Sequence, residues 1–190
     1  MAAIRMGPFQ QMRSVLVRAT VPAIALLILG GCAREERPLP SPPAQMIRRA
    51  PLPSSQPVSA ARYVAESGSI DLFVIRSSQL ALHRSSSLRV RRLASILIDA
   101  HKGTSAQLSF AGRRLNQLPS ATLQPQHQAM LNRLLSARNF DATYLTLERN
   151  VVREALTLDG TYAARGQSPT LRPVAAERAS VMRRDLTLLS

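Results

Sequence analysis

The stretch LRVRRLASILIDAHKGTSAQLSFAGRRL, residues 88–115, carries Leu93, Leu97, Ala100, Thr104, Leu108, Ala111 and Leu115 at steps of three or four. At 3.6 residues per turn that spacing gathers them on one side of a helix, as a stripe that has to be buried. Three serines, Ser85 to Ser87, stand just ahead of it and suit a helix start. The same period continues on both sides. Upstream, residues 59–83 place Tyr63, Ile70, Phe73, Ser77, Leu80 and Ala81 near one face, with Gly68 as a candidate bend. Downstream, Pro119 closes the central segment, and residues 123–137 form a shorter one with Met130, Leu131, Leu134 and Leu135. Asn139 suits the cap of a fourth segment, in which Phe140, Tyr144, Leu147, Val151, Ala155, Leu158 and Tyr162 keep the step until Gly166. Ser168 and Pro169 suit the N-cap and first turn of a last segment, with Leu171, Val174, Met182, Leu186 and Leu189.

Long segments with one apolar face each, joined by short loops, predict an all-α fold: an antiparallel four-helix bundle with one additional short helix, over residues 58–190. Composition agrees, because aromatics make up 4% of the chain and tryptophan is absent, so the core has to be aliphatic.

Residues 32–57 are of another kind. Pro38, Pro40, Pro42, Pro43, Pro51, Pro53 and Pro57 are mixed with serines there, and proline lacks the amide donor that helix and sheet both need. This stretch reads as an extended tether; at about 3.1 Å per residue it reaches roughly 75 Å. A proline-reading partner is the lesser alternative.

Before the tether, Arg13 and Arg18 precede an uncharged apolar run from Ala19 to Leu29, ending in Leu29-Gly30-Gly31-Cys32. A positive start, a short apolar run and small residues at the end are the parts of an export signal, here residues 1–31. The run is shorter than the roughly 20 apolar residues of a membrane span, and Pro22 interrupts it. Leu29-Gly30-Gly31-Cys32 resembles the bacterial lipobox. That resemblance implies diacylglycerol on the thiol of Cys32, cleavage before it, several acyl chains of the palmitate type on that residue, and a membrane anchor without a spanning helix. Ala33, which is not aspartate, then implies the outer membrane, with the domain facing the periplasm. An ordinary secretory signal with an incidental cysteine is the alternative, and Met12 competes with Met1 as the start.

The formal charge is +14, and since Lys102 is the single lysine among 25 basic residues, arginine supplies the rest. Loss of residues 1–31 removes Arg5, Arg13 and Arg18 and no acid, leaving +11. Anionic envelope polymer or lipid headgroups are the partners such a balance suits. Nucleic acid is not expected, because export removes the chain from it and no aromatic platform accompanies the arginines. Cys32 is the sole cysteine, so it has no disulfide partner within the chain.

Several runs together resemble a known family. They are Asp71-Leu72-Phe73, Ser78-Gln79-Leu80-Ala81-Leu82, Val90-Arg91-Arg92-Leu93-Ala94, Asp99-Ala100-His101-Lys102 and Phe140-Asp141-Ala142-Thr143-Tyr144-Leu145. Their order is similar to that in domain of unknown function 4142, spread from Tyr63 to Leu189. The resemblance implies an exported bacterial protein with a ferritin-like helical bundle and no assigned reaction. Ferritin-like bundles can hold two metal ions between carboxylates and histidines of facing helices. The resemblance implies a Glu in the first helix and histidines in the second, fourth and last; those positions here hold Val74, His101, Val152 and Asp185. Valine binds no metal, so neither a metal centre nor another cofactor is expected.

Individual candidates are few. His83 lies near a helix end, where an imidazole can bond a terminal carbonyl, and His127 falls in a polar segment that reads as solvated. His101 with Asp99 is the pair with some claim to chemistry, although residues two apart do not face each other on a helix. Asp141 suits the positive end of a helix dipole. No phosphate loop, Glu-x-x-His motif or Cys-His cluster is present, and no serine sits in a recognisable elbow. Arg91-Arg92, Arg113-Arg114 and Arg183-Arg184, with Arg149 and Arg153 four apart, read as a solvated face or an anion-contacting one. The functional expectation is a non-enzymatic envelope lipoprotein with a structural or binding role, no catalytic residue, and lipidation at Cys32. The alternative is a metal-dependent ferritin-like oxidoreductase or stress-response protein.

Overall fold

Ser59 and Ser87 stand in extended backbone, and each accepts a hydrogen bond from the amide three residues on, that of Arg62 or Val90. These caps satisfy amides that a helix start leaves without partners. They open α1 (Ala60–Arg84) and α2 (Leu88–Arg113). Pro125, whose missing amide costs nothing in a first turn, starts α3 (Pro125–Leu135). Asn139 accepts from the amide of Ala142 and opens α4 (Phe140–Arg165), and α5 (Leu171–Leu188) completes the set. The computed structural model describes residues 57–190; the expected export signal, Cys32 and the expected tether through residue 56 lie outside the described residues. Among the described residues there are five helices and no strand, and no helix is long and apolar enough to cross a membrane.

α1 packs on α2 and α4, α5 packs on α4 and α2, and α3 lies over α1 and α4. Tyr63 of α1 reaches Asp159 near the end of α4, while Ser77 reaches Glu148 nearer its start, so these two helices run in opposite senses. The interior falls into two apolar clusters. One holds Ile70, Phe73, Val74, Leu93, Leu97, Tyr144, Val151, Val152 and Met182; the other holds Tyr63, Val64, Leu108, Tyr162, Leu171 and Ala175. Buried polar residues lie where the clusters meet: Ser67 and Asp71 on α1, His101 and Thr104 on α2, Asp159 on α4 and Arg178 on α5.

Three expectations about element ends need correction. The central stripe does not stay helical to Leu115. α2 stops at Arg113, and Asn116, at φ 53°, turns the chain so that the Gln117 amide bonds the Gly112 carbonyl and the Asn116 amide bonds that of Arg113. This is a Schellman ending with Asn in the left-handed position that glycine more often takes. The connection to α3 is therefore long, from Arg114 to Gln124, where a short loop was expected. α1 runs unbroken through Gly68; a Cβ there would lie 2.6 Å from the Pro119 Cβ, so its missing side chain lets that connection cross α1 closely. The last helix begins at Leu171, not at Ser168 and Pro169. Ser168 is buried, its amide bonds the Tyr162 hydroxyl, and its carbonyl accepts from Leu171 and Arg172, which makes the Ser-Pro pair a turn ahead of the helix.

Three arginines are tied to helix ends. Arg149 donates to the carbonyl of Leu189, Arg89 to that of Ser190, and Arg84 to that of Leu135. Terminal carbonyls lack intrahelical donors and carry the negative end of the dipole, so a guanidinium satisfies both needs.

Candidate functional site

Arg178, on α5, is fully buried and aims its fork into the belt between the clusters. Its Nη1 donates to Asp71 Oδ2 at 2.7 Å and its Nη2 to Asp71 Oδ1 at 3.3 Å, a two-pronged pairing that also fixes the orientation of both groups. Its Nε donates to Asp159 Oδ1 at 3.2 Å, and the Tyr63 hydroxyl donates to the same oxygen at 2.8 Å. Asp71 receives further bonds from Thr104 Oγ1 at 3.0 Å and from His101 Nδ1 at 2.8 Å. The other nitrogen of His101, Nε2, stands 3.4 Å from Asp185 Oδ2, an ion-pair contact outside hydrogen-bond geometry. His101 therefore lies between carboxylates of α1 and α5, and Asp99, its expected companion, is exposed on the opposite side of α2.

Burial and neighbours set the protonation states. Burial raises Asp71, but Arg178 and His101 outweigh it and hold its carboxyl below the ordinary range. Burial opposes a charged imidazole at His101, yet Asp185 and Asp71 prevail and push it up to about 9, so it is a cation at neutral pH. Asp159 is raised, by burial first, with Arg178 and Tyr63 opposing. Glu148, fully buried on α4, is pushed up to about 8 by burial, against the pull of Ser77 and His101. The Ser77 hydroxyl lies against both Glu148 Oε1 and the Phe73 carbonyl, the latter at 2.7 Å. A serine has one proton to give. It is shared between Glu148 Oε1 and the Phe73 carbonyl, so the pull of Ser77 on Glu148 is weak beside that of burial.

The residues present do not suit a ferritin-like pair of ions. Val74 and Val152, at two positions that the family resemblance reserves for ligands, are fully buried in the apolar core. Between Asp71 and Asp159 the compensating cation is the guanidinium of Arg178. Among the described residues no group of three or more His, Cys, Asp or Glu side chains is placed to hold an ion.

His127 needs a correction as well: it is fully buried, not solvated. Its Nδ1 lies 2.8 Å from Ser69 Oγ, and its Nε2 lies 3.5 Å from Glu154 Oε1. Serine, histidine and acid in a row suggest a nucleophile, but Ser69 is itself buried and accepts the Gln124 amide at 2.8 Å. A nucleophile must meet its substrate. This row instead fastens the chain ahead of α3 onto α1. His83 is exposed in the last turn of α1, and Asp141 stands in the first turn of α4, where an anion favours the helix dipole. Asp71, Glu148, Asp159 and Arg178 were not singled out by sequence reasoning; the signal for them was a charged residue falling in step with an apolar stripe.

The family model described as "Domain of unknown function (DUF4142)" matches residues 47–189. No curated protein matches the chain. A solved structure described as "CopM in the Cu(II)-bound form" is similar in fold, with a TM-score of 0.60 over 70% of this chain and 95% of that one, at 13% identity. At that identity the likeness shows the fold alone.

Proposed function

Because the chain belongs to the domain of unknown function 4142 family, whose description assigns no reaction, we propose that it is an envelope lipoprotein with a binding or supporting role. In this reading, lipid on Cys32 anchors it in the outer membrane of a Gram-negative bacterium and its helical domain faces the periplasm. The observation that carries the non-catalytic part is the closure of the charged belt. Asp71, His101, Asp159 and Arg178 are fully buried and joined to one another, Glu148 is fully buried against Ser77, and none of the five lines any of five surface grooves among the described residues. A catalytic acid or base has to come within hydrogen-bond reach of its substrate. The belt instead supports a role in fixing how four helices fit together.

The anchoring part rests on Leu29-Gly30-Gly31-Cys32 after the apolar run. The arginine surplus favours anionic envelope polymer or lipid headgroups as the partner class. The competing reading, a metal-dependent oxidoreductase, would set ions against Val74 and Val152, and the copper named for the structural neighbour stays with that protein. The test is Cys32→Ser in the full chain, followed by cell fractionation and mass measurement of the mature protein. The variant should leave the outer-membrane fraction and lose the acyl mass; unchanged fractionation would overturn the reading.

A further inference from the structure

The outer face of α2 joins apolar and basic groups. Leu88, Ile96 and Phe110 are exposed there at 63%, 47% and 70%. At 100° per residue they share an arc of about 120° with Arg92, Lys102, Arg113 and Arg114. These four cations are exposed and form no ion pair among the described residues; Asp99 is the acid on the same arc. Leu188 of α5 extends the apolar part beside Ile96, in a shallow groove bordered by Arg89 and Arg92.

Where the tether joins adds a second observation. Val58 and Leu115 pack on the same apolar cluster, and Val64 of α1 approaches Gly112 of α2. The chain leading back to Cys32 therefore enters the domain beside the end of α2 that bears Phe110, Arg113 and Arg114.

We propose that the outer face of α2 is a contact surface for an anionic lipid bilayer, with Phe110 inserted at the headgroup boundary and Arg92, Lys102, Arg113 and Arg114 on lipid phosphates. The proposal rests on the lipid-anchored reading and names the partner of that chain. A charged polymer would be held by the arginines alone and would leave three large apolar side chains in water. A bilayer receives both kinds of group, as it does from helices that lie in its interface. α2, about 39 Å long at 1.5 Å per residue, can lie along that plane. Tethering by Cys32 makes the second contact effectively intramolecular, so a face of modest intrinsic affinity suffices.

The chain contains no tryptophan, so Phe110→Trp in the full chain gives a single fluorescent reporter on this face. Its emission should shift to the blue with vesicles of phosphatidylglycerol and phosphatidylethanolamine, but not with zwitterionic vesicles. The shift should weaken as salt rises, because exposed charges are screened beyond about 8 Å at physiological ionic strength. Arg113→Glu with Arg114→Glu in the same background should abolish it. Leu135→Trp, on α3 and 48% exposed, should give none. Absence of a shift at Phe110→Trp, an equal shift at Leu135→Trp, or a shift with peptidoglycan and none with vesicles would each overturn the proposal. Mass measurement separates the two readings: an acylated chain on anionic vesicles with an unshifted reporter refutes this face and spares the anchor. A shift in a chain without acyl mass refutes the anchor.

Discussion

Arg178 has no route to solvent, so everything its charge requires must come from inside the bundle. Asp71 and Asp159 supply it, and they in turn have no other full cation beside both of them. A buried pair is costly to break from one side, because the remaining charge stays in low dielectric without compensation. Arg178→Met is therefore expected to destabilise the domain by about 3–5 kcal/mol. Adding Asp71→Asn to that variant should recover part of the loss, since the two residues are directly coupled. Urea denaturation of the wild type and the two variants measures both effects, and a double variant no more stable than Arg178→Met would contradict the pairing. These residues were hard to see in the sequence for a physical reason. Arg178 falls one helical step from Ala175 and Met182, as Asp159 does from Ala155 and Tyr162, so their position in the stripe was readable. Composition concealed the meaning: an arginine in a chain with 25 basic residues reads as surface, and nothing local to Arg178 announces a carboxylate 107 residues away.

At the level of elements, stripes were more legible than ends. The apolar steps placed all five helices, because burial of one face is a property summed over many residues. Ends depend on a few atoms. The Ser168-Pro169 signal fell three residues early: Pro169 and Thr170 form a turn, and the helix is regular from Leu171. The end of α2 shows what such a turn demands. A Cβ on Gly112 would lie 2.1 Å from the Gln117 carbonyl oxygen, which is backbone within the Schellman turn and cannot rotate aside. Gly112→Ala is expected to cost about 1–3 kcal/mol, the range for forcing atoms into packed space. Gly103, in the same helix, has nothing within 4 Å of its would-be Cβ. There Gly103→Ala should raise stability by up to about 1 kcal/mol through helix propensity. Thermal melts of the two variants decide it: opposite signs are expected, and equal signs would show that the close approach at Gly112 is not limiting.

For the molecule as a whole, the buried belt makes stability depend on pH in a particular sense. His101 has an ordinary value of 6.5 and stands at about 9 in the fold, so its contribution is complete below 6.5 and is lost as pH rises through 9. Glu148 moves the same way, from 4.5 to about 8, because the folded state keeps a proton that the unfolded chain has already released. Asp159, also raised, adds to that trend, whereas Asp71 is lowered and gives stability that disappears only as pH falls below the ordinary carboxylate range. Stability is therefore greatest near pH 4, declines from about pH 4.5 as the unfolded chain ionises Glu148, and declines more steeply above 6.5, despite the strongly basic composition. A pKa unit corresponds to about 1.4 kcal/mol, so His101 and Glu148 together withdraw several kcal/mol between pH 5 and pH 9. Residues 58–190 provide the test, because both apolar clusters and the whole belt lie within them. The excised domain is expected to give a helical far-ultraviolet circular dichroism spectrum and to melt at a markedly lower temperature at pH 9 than at pH 5.5. A largely unstructured spectrum would mean that the tether or the preceding residues are needed for folding. A helical domain whose melting temperature stays level or rises toward pH 9 would mean that His101 and Glu148 do not hold their protons in the fold.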